Sequence, residues 1–358
     1  MPDRRTLAAY LRVESVGGAV LAGAAALALL CANTPARPAY DALVRHTGDL
    51  AGEGLLTLFF FVAGLELRRE LTDGELRGRR RAALPVVAAV AGMAGPALFF
   101  LLVAGGEGGR GWAVPVATDI AFALGVLALS GGRYPPSLRA LLLSLAVVDD
   151  LGAIVLIAVL FAHGVHVLPL AGAVVACLGY ARLRTPYARV PLAAATWLLV
   201  HLAGVHATVA GVALGLLTAP GGEIEERLHP WSAGLVVPLF AFTAAGVHLD
   251  GVSGAVHDRV AWAVFAGLLL GKTLGIAGGV ALAVRSRVAT VPEHVRAYDV
   301  AALGVLGGVG FTVSLLLADL AYDGSREAHA KTAVLAASVT ASAVAAVMLR
   351  RRPARAPR

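Results

Sequence analysis

The chain has 358 residues, of which 58% are hydrophobic and only 15% are charged, and its formal net charge is +7. Soluble domains carry about 25% charged residues, so the composition excludes an ordinary soluble protein and indicates one whose solvent is the lipid bilayer. The positive charge does not indicate a nucleic-acid partner, because the basic residues lie in short loops beside apolar segments, where they orient a membrane protein.

Apolar segments follow one another along nearly the whole chain and predict an all-α polytopic membrane protein. We predict a single integral membrane domain over residues 1–358, with polar tails at 1–13 and 350–358. The first segment has no convincing cleavage site and is interpreted as a spanning helix instead of a signal peptide. The twelve predicted spans are residues 14–32, 54–68, 82–104, 111–130, 138–162, 166–181, 188–199, 200–218, 231–249, 259–284, 298–322 and 328–349.

Lysine and arginine residues fall mainly in alternate loops of this arrangement. With twelve spans, 23 of these residues lie on one side of the membrane and 6 lie on the other. Cytoplasmic loops are enriched in basic residues, so the bias predicts that both termini are in the cytoplasm.

The fourth predicted span contains a carboxylate at membrane depth, Asp119, preceded by Pro115 and Thr118. Proline interrupts helical hydrogen bonding, and Thr and Asp cap the start of a new helix. The pattern predicts a helix that is broken inside the bilayer, where Asp119 is either a cap alone or also part of an ion site.

The fifth predicted span carries two adjacent aspartates, Asp149 and Asp150, in an apolar run from Leu141 to Leu160. A carboxylate at this depth costs at least a few kcal/mol, and two neighbouring carboxylates also repel each other. We interpret the pair as a site for a cation, a proton or a buried positive partner, because packing alone does not require it.

The tenth predicted span contains Lys272, one of only two lysines in a chain with 28 arginines. Arginine does not release its proton in a protein, whereas a buried lysine can titrate. A mid-segment lysine therefore indicates charge balance or proton transfer instead of a side chain that snorkels to the interface. Successive helix positions point about 100° apart, so one aspartate of the pair can face Lys272 while the other faces a water-filled cavity.

The eleventh predicted span has a cluster of helix-weakening residues near its middle. They are Gly304, Gly307, Gly308, Gly310, Thr312 and Ser314. Two interrupted segments in corresponding halves of a chain indicate the binding site of a secondary transporter built from inverted repeats. The half-helix ends carry partial charges, which Asp119 and Lys272 can offset.

Six segments, in order and over nearly the whole chain, resemble the NhaA-type sodium/proton antiporters. They are residues 59–70, 117–129, 147–154, 204–211, 228–231 and 307–314. The resemblance implies discontinuous fourth and eleventh helices that cross near the bilayer centre, with Thr118 and Asp119 at the crossing. It implies that Na⁺ or Li⁺ and protons bind at Asp149 and Asp150, and that Lys272 is the partner of Asp149.

The resemblance also implies electrogenic, pH-regulated efflux of cytoplasmic Na⁺ or Li⁺ in exchange for external protons, in the inner membrane of a prokaryote. The residues that match the family's pH-responsive cluster are Glu66, Arg69, Glu70, Glu225 and His229. The expected partners are Na⁺, Li⁺, H⁺ and membrane lipids, with no nucleic acid and no cofactor.

Three positions qualify this resemblance. The connection from Asn33 to Glu53 is short for the β-hairpin that pairs protomers in well-known members, so a homodimer would lack that element. Glu226 replaces a histidine common at that position, which affects the expected pH midpoint. His206 matches the family, but a lone membrane histidine is as often a packing hydrogen bonder.

Competition between ions gives the expected mechanism, because carboxylate lone pairs bind either protons or a small hard cation. Three alternatives stay open: a proton-coupled carrier for K⁺ or another solute, a sensor or scaffold of this fold, and an intramembrane aspartyl protease. The protease is the weakest, since such enzymes place their aspartates on facing helices with a Gly-x-Gly-Asp element, which this sequence lacks.

Overall fold

The computed structural model describes residues 14–74, 76–131, 134–162, 164–183, 185–219, 223–248 and 252–352. The predicted tail at 1–13 and residues 353–358 of the predicted C-terminal tail lie outside this part. Within the described ranges the fold is all-helical and contains no strand, as the apolar segments predicted.

Seven α-helices lie among the described residues of the first half of the chain. They are α1 (Glu14–Ala32), α2 (Arg37–Asp49), α3 (Leu56–Thr72), α4 (Arg79–Ala104), α5 (Ile120–Leu129), α6 (Pro136–Leu160) and α7 (Val167–Arg182). A π-helical turn, Leu50–Leu55, connects α2 to α3, and a 3₁₀-helix, Gly109–Val116, precedes α5.

The second half forms ten further α-helices among the described residues. They are α8 (Pro186–Leu202), α9 (Thr208–Leu217), α10 (Glu223–Trp231), α11 (Val237–Ala244), α12 (Val252–His257), α13 (Arg259–Ala266), α14 (Lys272–Arg285), α15 (Ala297–Gly307), α16 (Phe311–Ala321) and α17 (Gly324–Arg350). Two π-helical turns, Ser232–Val236 and Gly267–Gly271, join α10 to α11 and α13 to α14.

Five stretches of the described chain are long and apolar enough to cross a membrane. They are Arg81–Ala104, Gly109–Leu129, Pro136–Leu160, Arg259–Arg285 and Gly324–Arg350. The pair α15 and α16 is a sixth if it is counted as one span, although the two helices bend by 44° at their break. Helix length and composition alone thus account for about half of the predicted spans.

One predicted boundary was wrong, and one polar helix was not predicted. The division after residue 199 falls inside α8, which continues to Leu202 because no breaking residue interrupts the apolar run before Gly204. The chain turns at Gly204, whose φ of 77° favours glycine. The span predicted to begin at residue 231 is preceded by the charged helix α10, which hydropathy does not detect because it is polar.

The long polar connection after α1 is also helical. Residues 37–49 form α2, whose Tyr40 is buried and donates a hydrogen bond to the carbonyl of Phe242 at 2.6 Å. No strand occurs between Asn33 and Glu53, so this connection holds a helix in place of a β-hairpin.

Loops contact each other at both ends of the helical bundle, and we call one of these ends the arginine-rich end. At the arginine-rich end, Arg350 donates to the Ser130 carbonyl at 3.2 Å, and Ser137 donates to the Glu293 carbonyl at 2.9 Å. At the opposite end, the Tyr322 hydroxyl donates to the Gly108 carbonyl at 2.7 Å. These contacts bring together loops that are far apart in sequence.

Glycines allow two pairs of helices to approach until their backbones touch. Gly95 on α4 meets Gly271 and Gly275 on the facing tenth segment, and Gly64 on α3 meets Gly215 on α9. Small residues permit this close packing where lipid gives no hydrophobic driving force between helices. The α4 contact fixes the segment that carries Lys272.

This packing gives a stability prediction. A β carbon at Gly275 would lie 3.1 Å from the Ala91 carbonyl carbon and 3.2 Å from Gly92 Cα, both in the backbone of α4. Gly275→Ala should therefore lower the melting temperature of the detergent-solubilised protein, since overpacking costs about 1–3 kcal/mol.

The matched control lies one turn further along α14. Nothing lies within 4 Å of a β carbon at Gly278, so Gly278→Ala should leave the melting temperature unchanged or raise it, because alanine is about 1 kcal/mol better than glycine in a helix. Equal melting temperatures for the two variants would contradict the close approach of α4 and α14.

Candidate functional site

The two interrupted segments contact each other at their breaks. The backbone N–H of Asp119 donates to the Val309 carbonyl at 2.7 Å, and the Thr118 hydroxyl donates to the Gly307 carbonyl at 2.9 Å. Helix ends leave backbone groups without intrahelical partners. Each break therefore supplies partners for the free backbone groups of the other.

The Asp119 carboxylate caps two half-helices at once. One oxygen accepts from the Phe122 N–H at 2.9 Å, in the first turn of α5. The other accepts from the Thr312 N–H at 3.2 Å and the Thr312 hydroxyl at 2.8 Å, in the first turn of α16. Since both helix N-termini carry partial positive charge, one buried carboxylate stabilises both.

The glycines of the eleventh segment shape this break. Gly307 ends α15, while Gly308 and Gly310 lie in the turn before α16. A β carbon at Gly308 would lie 2.6 Å from the Leu268 carbonyl oxygen, which leaves no room for a side chain. The absence of side chains thus lets the break lie against the tenth segment.

Asp149 and Lys272 form a buried ion pair. Lys272 Nζ lies 2.8 Å from Asp149 Oδ1 and 2.6 Å from Oδ2, and both side chains are 0% exposed. Removing one partner of such a pair leaves an uncompensated buried charge, which is strongly destabilising. Lys272 opens α14 directly after the π-helical turn Gly267–Gly271, and that turn was not predicted.

Asp150 points into a cavity of about 510 Å³, while its neighbour Asp149 does not line that cavity. Asp150 itself is only 6% exposed, whereas Arg69 and Asp73 at the other end of the cavity are exposed. The cavity therefore connects the buried carboxylate to solvent at the arginine-rich end. Polar residues in its wall are Glu66, Arg69, Glu70, Asp73, Thr118, Asp119, Asp150, His229, Ser232 and Thr312.

The residues predicted for the pH response lie along this cavity. Glu66, Arg69, Glu70 and His229 are in its wall, and His229 Nε2 is 3.7 Å from Glu66 Oε1. Glu225 belongs to α10, but its side chain lies outside the described part of the structure. The described members are thus connected to Asp150 by one continuous space.

Some residues of the cavity were not predicted from the sequence. Asp73 lies in the polar turn after α3, and Ser232 begins a π-helical turn. Neither position has a sequence signal, because turns and single serines are common at helix ends. His206 does not line the cavity, and its Nδ1 lies 2.8 Å from the Thr208 hydroxyl at the start of α9.

The two neighbouring carboxylates have different surroundings. Asp149 is neutralised by an ammonium group, while Asp150 is held at the end of a cavity open to solvent. Oxygen ligands of this kind suit hard cations such as Na⁺ and also accept protons. Of these two neighbouring aspartates, Asp150 is therefore the one that lines a space open to solvent.

Comparison with known proteins gives a consistent result. The family model described as Na+/H+ antiporter 1 matches residues 8–349. Na(+)/H(+) antiporter NhaA 1 of Saccharopolyspora erythraea is 53% identical over 376 residues, which cover 96% of this chain and 91% of the relative. Na(+)/H(+) antiporter NhaA of Nocardia farcinica is 51% identical over 381 residues, which cover 98% of this chain and 92% of the relative.

A solved structure shares the fold at low sequence identity. The sodium proton antiporter MjNhaP1 from Methanocaldococcus jannaschii at pH 8 superposes with a TM-score of 0.61 at 14% identity. The match covers 96% of this chain and 97% of that chain, so the similarity extends over the whole helical bundle.

Proposed function

The chain belongs to the Na+/H+ antiporter 1 family of integral membrane proteins, and from this premise we propose that it exchanges cytoplasmic Na⁺ or Li⁺ electrogenically for external protons. The observation that carries the proposal is that the two buried, neighbouring aspartates have different surroundings. Asp149 is paired with Lys272, while Asp150 ends a cavity that reaches solvent.

The proposed topology has twelve spans, with the fourth and eleventh discontinuous and crossing near the bilayer centre. It is supported by the mutual hydrogen bonds of the two breaks through Thr118 and Asp119. We place the arginine-rich end and both termini in the cytoplasm of a prokaryote because basic residues favour that side. The cavity below Asp150 then opens to the cytoplasm.

The proposed cycle is a competition for Asp150. When protons are scarce in the cytoplasm, Na⁺ or Li⁺ binds the carboxylate with oxygen partners such as those of Asp149, Thr118 and Asp119. The loaded site is then exposed outside, where protons displace the cation. Import of more than one proton per cation makes the exchange electrogenic, with Lys272 balancing charge or carrying a second proton.

The proposed pH response depends on the charges beside the cavity. Glu66, Arg69, Glu70 and His229 line the route by which a cation would approach Asp150, and Glu225 belongs to the same helix as His229. A change in the protonation of these side chains would alter the local concentration of cations where the cavity opens to solvent. If a homodimer forms, it does so without a hairpin between α1 and α3.

Flux measurements in proteoliposomes test this function. Purified protein, a pH-sensitive dye inside the vesicles and an outward or inward cation gradient should give proton movement with Na⁺ and Li⁺, increasing at alkaline pH. A membrane potential should change its rate if the exchange is electrogenic. Proton movement driven only by K⁺, or by none of the three cations, would contradict the proposal.

A further inference from the structure

The break between α15 and α16 is held from two directions. At its inner end, the Gly307 and Val309 carbonyls accept hydrogen bonds from Thr118 and Asp119. α15 has only 11 residues, from Ala297 to Gly307. Because so short a helix moves as one body, whatever fixes its outer end also fixes the position of these carbonyls.

A buried carboxylate fixes that outer end. Asp299, in the first turn of α15, is 1% exposed and accepts from the N–H of Arg296 at 2.9 Å. Arg352, beyond the end of α17, donates to both oxygens, with Nε at 2.6 Å and Nη2 at 2.9 Å. Two parallel N–H···O bonds set direction as well as distance.

The same C-terminal segment also binds the other discontinuous span. Arg350 Nε donates to the carbonyl of Ser130, the residue that follows α5, at 3.2 Å. The Tyr298 hydroxyl, beside Asp299, donates to the Met348 carbonyl at 2.8 Å. The outer ends of α5 and α15 are therefore joined through residues 348–352, while their inner ends are joined at the break.

We propose that Arg352 and Asp299 are positioning residues for ion exchange, which set the location of α15 and hence of the Thr118–Asp119 carbonyl contacts beside Asp150. This inference rests on the proposed exchange activity. It assigns a role in sodium binding to residues 348–352 of the C-terminal segment, which do not line the cavity.

The coupling follows from the geometry. Loss of the arginine fork removes both directional bonds that hold Asp299 from the C-terminal side, leaving the Arg296 N–H contact and the helix N-terminus. α15 can then shift along its axis, and the Gly307 and Val309 carbonyls shift with it. Thr118 and Asp119, which contact these carbonyls, then change position relative to Asp150. This change requires less free energy than unfolding of the protein.

The test compares four variants in proteoliposomes and in thermal melts. Arg352→Gln and Asp299→Asn should each raise the KM for Na⁺ by about 3- to 10-fold, within the range reached by remote couplings, with little change in kcat. Arg352→Lys keeps the charge but not the planar fork, so it should give an intermediate KM.

Arg351→Gln is the matched control, because it removes the same charge from the adjacent, exposed position. It should leave the KM for Na⁺ unchanged. An Arg352→Gln variant with the KM of the control would overturn the proposal, as would a lower melting temperature with an unchanged KM. If Arg352→Gln does not fold, Asp299→Asn and Arg352→Lys decide by the same criteria.

The failure of the general function is a separate result. A wild-type protein that exchanges no Na⁺ would overturn the proposed antiport before any variant is compared. If the wild type exchanges Na⁺ normally and the substitutions at Arg352 and Asp299 leave the KM for Na⁺ unchanged, only the positioning role is overturned.

Discussion

Asp150→Asn should abolish sodium-driven proton movement while leaving the folded protein intact. The carboxylate is the buried end of the solvent-connected cavity, and its neighbour Asp149 is already bound by Lys272 through both oxygens. Asp149 can contribute oxygen ligands, but with its charge balanced by Lys272 and no place in the cavity wall it should not replace Asp150 as the exchanging carboxylate. An amide still coordinates a cation weakly, but it cannot carry a proton. The measurement is dye-reported proton flux on addition of Na⁺ and Li⁺.

The control makes the same chemical change, Asp to Asn, at the opposite end of the bundle. Asp41 lies on α2, 3.7 Å from Arg37 and 3.5 Å from His248, and does not line the cavity. Asp41→Asn should exchange like the wild type. If a verified Asp150→Asn preparation shows the flux of the wild type, protons and cations do not exchange by competing for this carboxylate.

The sequence identified the residues that are costly at membrane depth. Asp119, Asp149, Asp150 and Lys272 are conspicuous because an apolar segment has no packing reason to contain them. The structure brings Lys272 and Asp149 together and joins the breaks at Thr118 and Asp119. The cost of burying a charge depends on its own segment, so the composition of one segment was sufficient to single out these residues.

Other features depend on contacts between distant segments, which carry no local signal. The π-helical turn before Lys272 arises where Gly267 and Gly271 pack against Pro96. The Asp299–Arg352 pair joins residues 53 positions apart. A carboxylate at the start of a helix and an arginine near a terminus are ordinary features when each is seen alone.

Helix ends were also difficult for a physical reason. Hydropathy reports where apolar residues stop, whereas a helix ends where its backbone hydrogen bonds stop. α10 is polar yet helical, and α8 continues past the predicted division because Gly204 supplies the turn. The number and crossing of the membrane spans therefore stay predictions, while the helical character of the segments is established.

Asp149→Asn should strongly destabilise the protein and also remove electrogenic exchange. The ammonium group of Lys272 is 0% exposed, and breaking a buried pair by removing one partner costs about 3–5 kcal/mol. The melting temperature in detergent should fall clearly below that of the wild type. Any remaining exchange should be insensitive to membrane potential, because the substitution removes one of the buried charges that the proposed cycle uses.

A double variant separates the ion pair from other effects of the substitution. In Asp149→Asn/Lys272→Gln no buried charge of the pair remains, so the melting temperature should recover a large part of the loss, since replacing both partners is often nearly neutral. Electrogenic exchange should not recover. An Asp149→Asn variant as stable as the wild type, or a double variant no more stable than the single one, would show that the pair does not stabilise the fold. Recovery of stability without recovery of electrogenicity would show that the charged pair takes part in charge movement and does more than stabilise the fold.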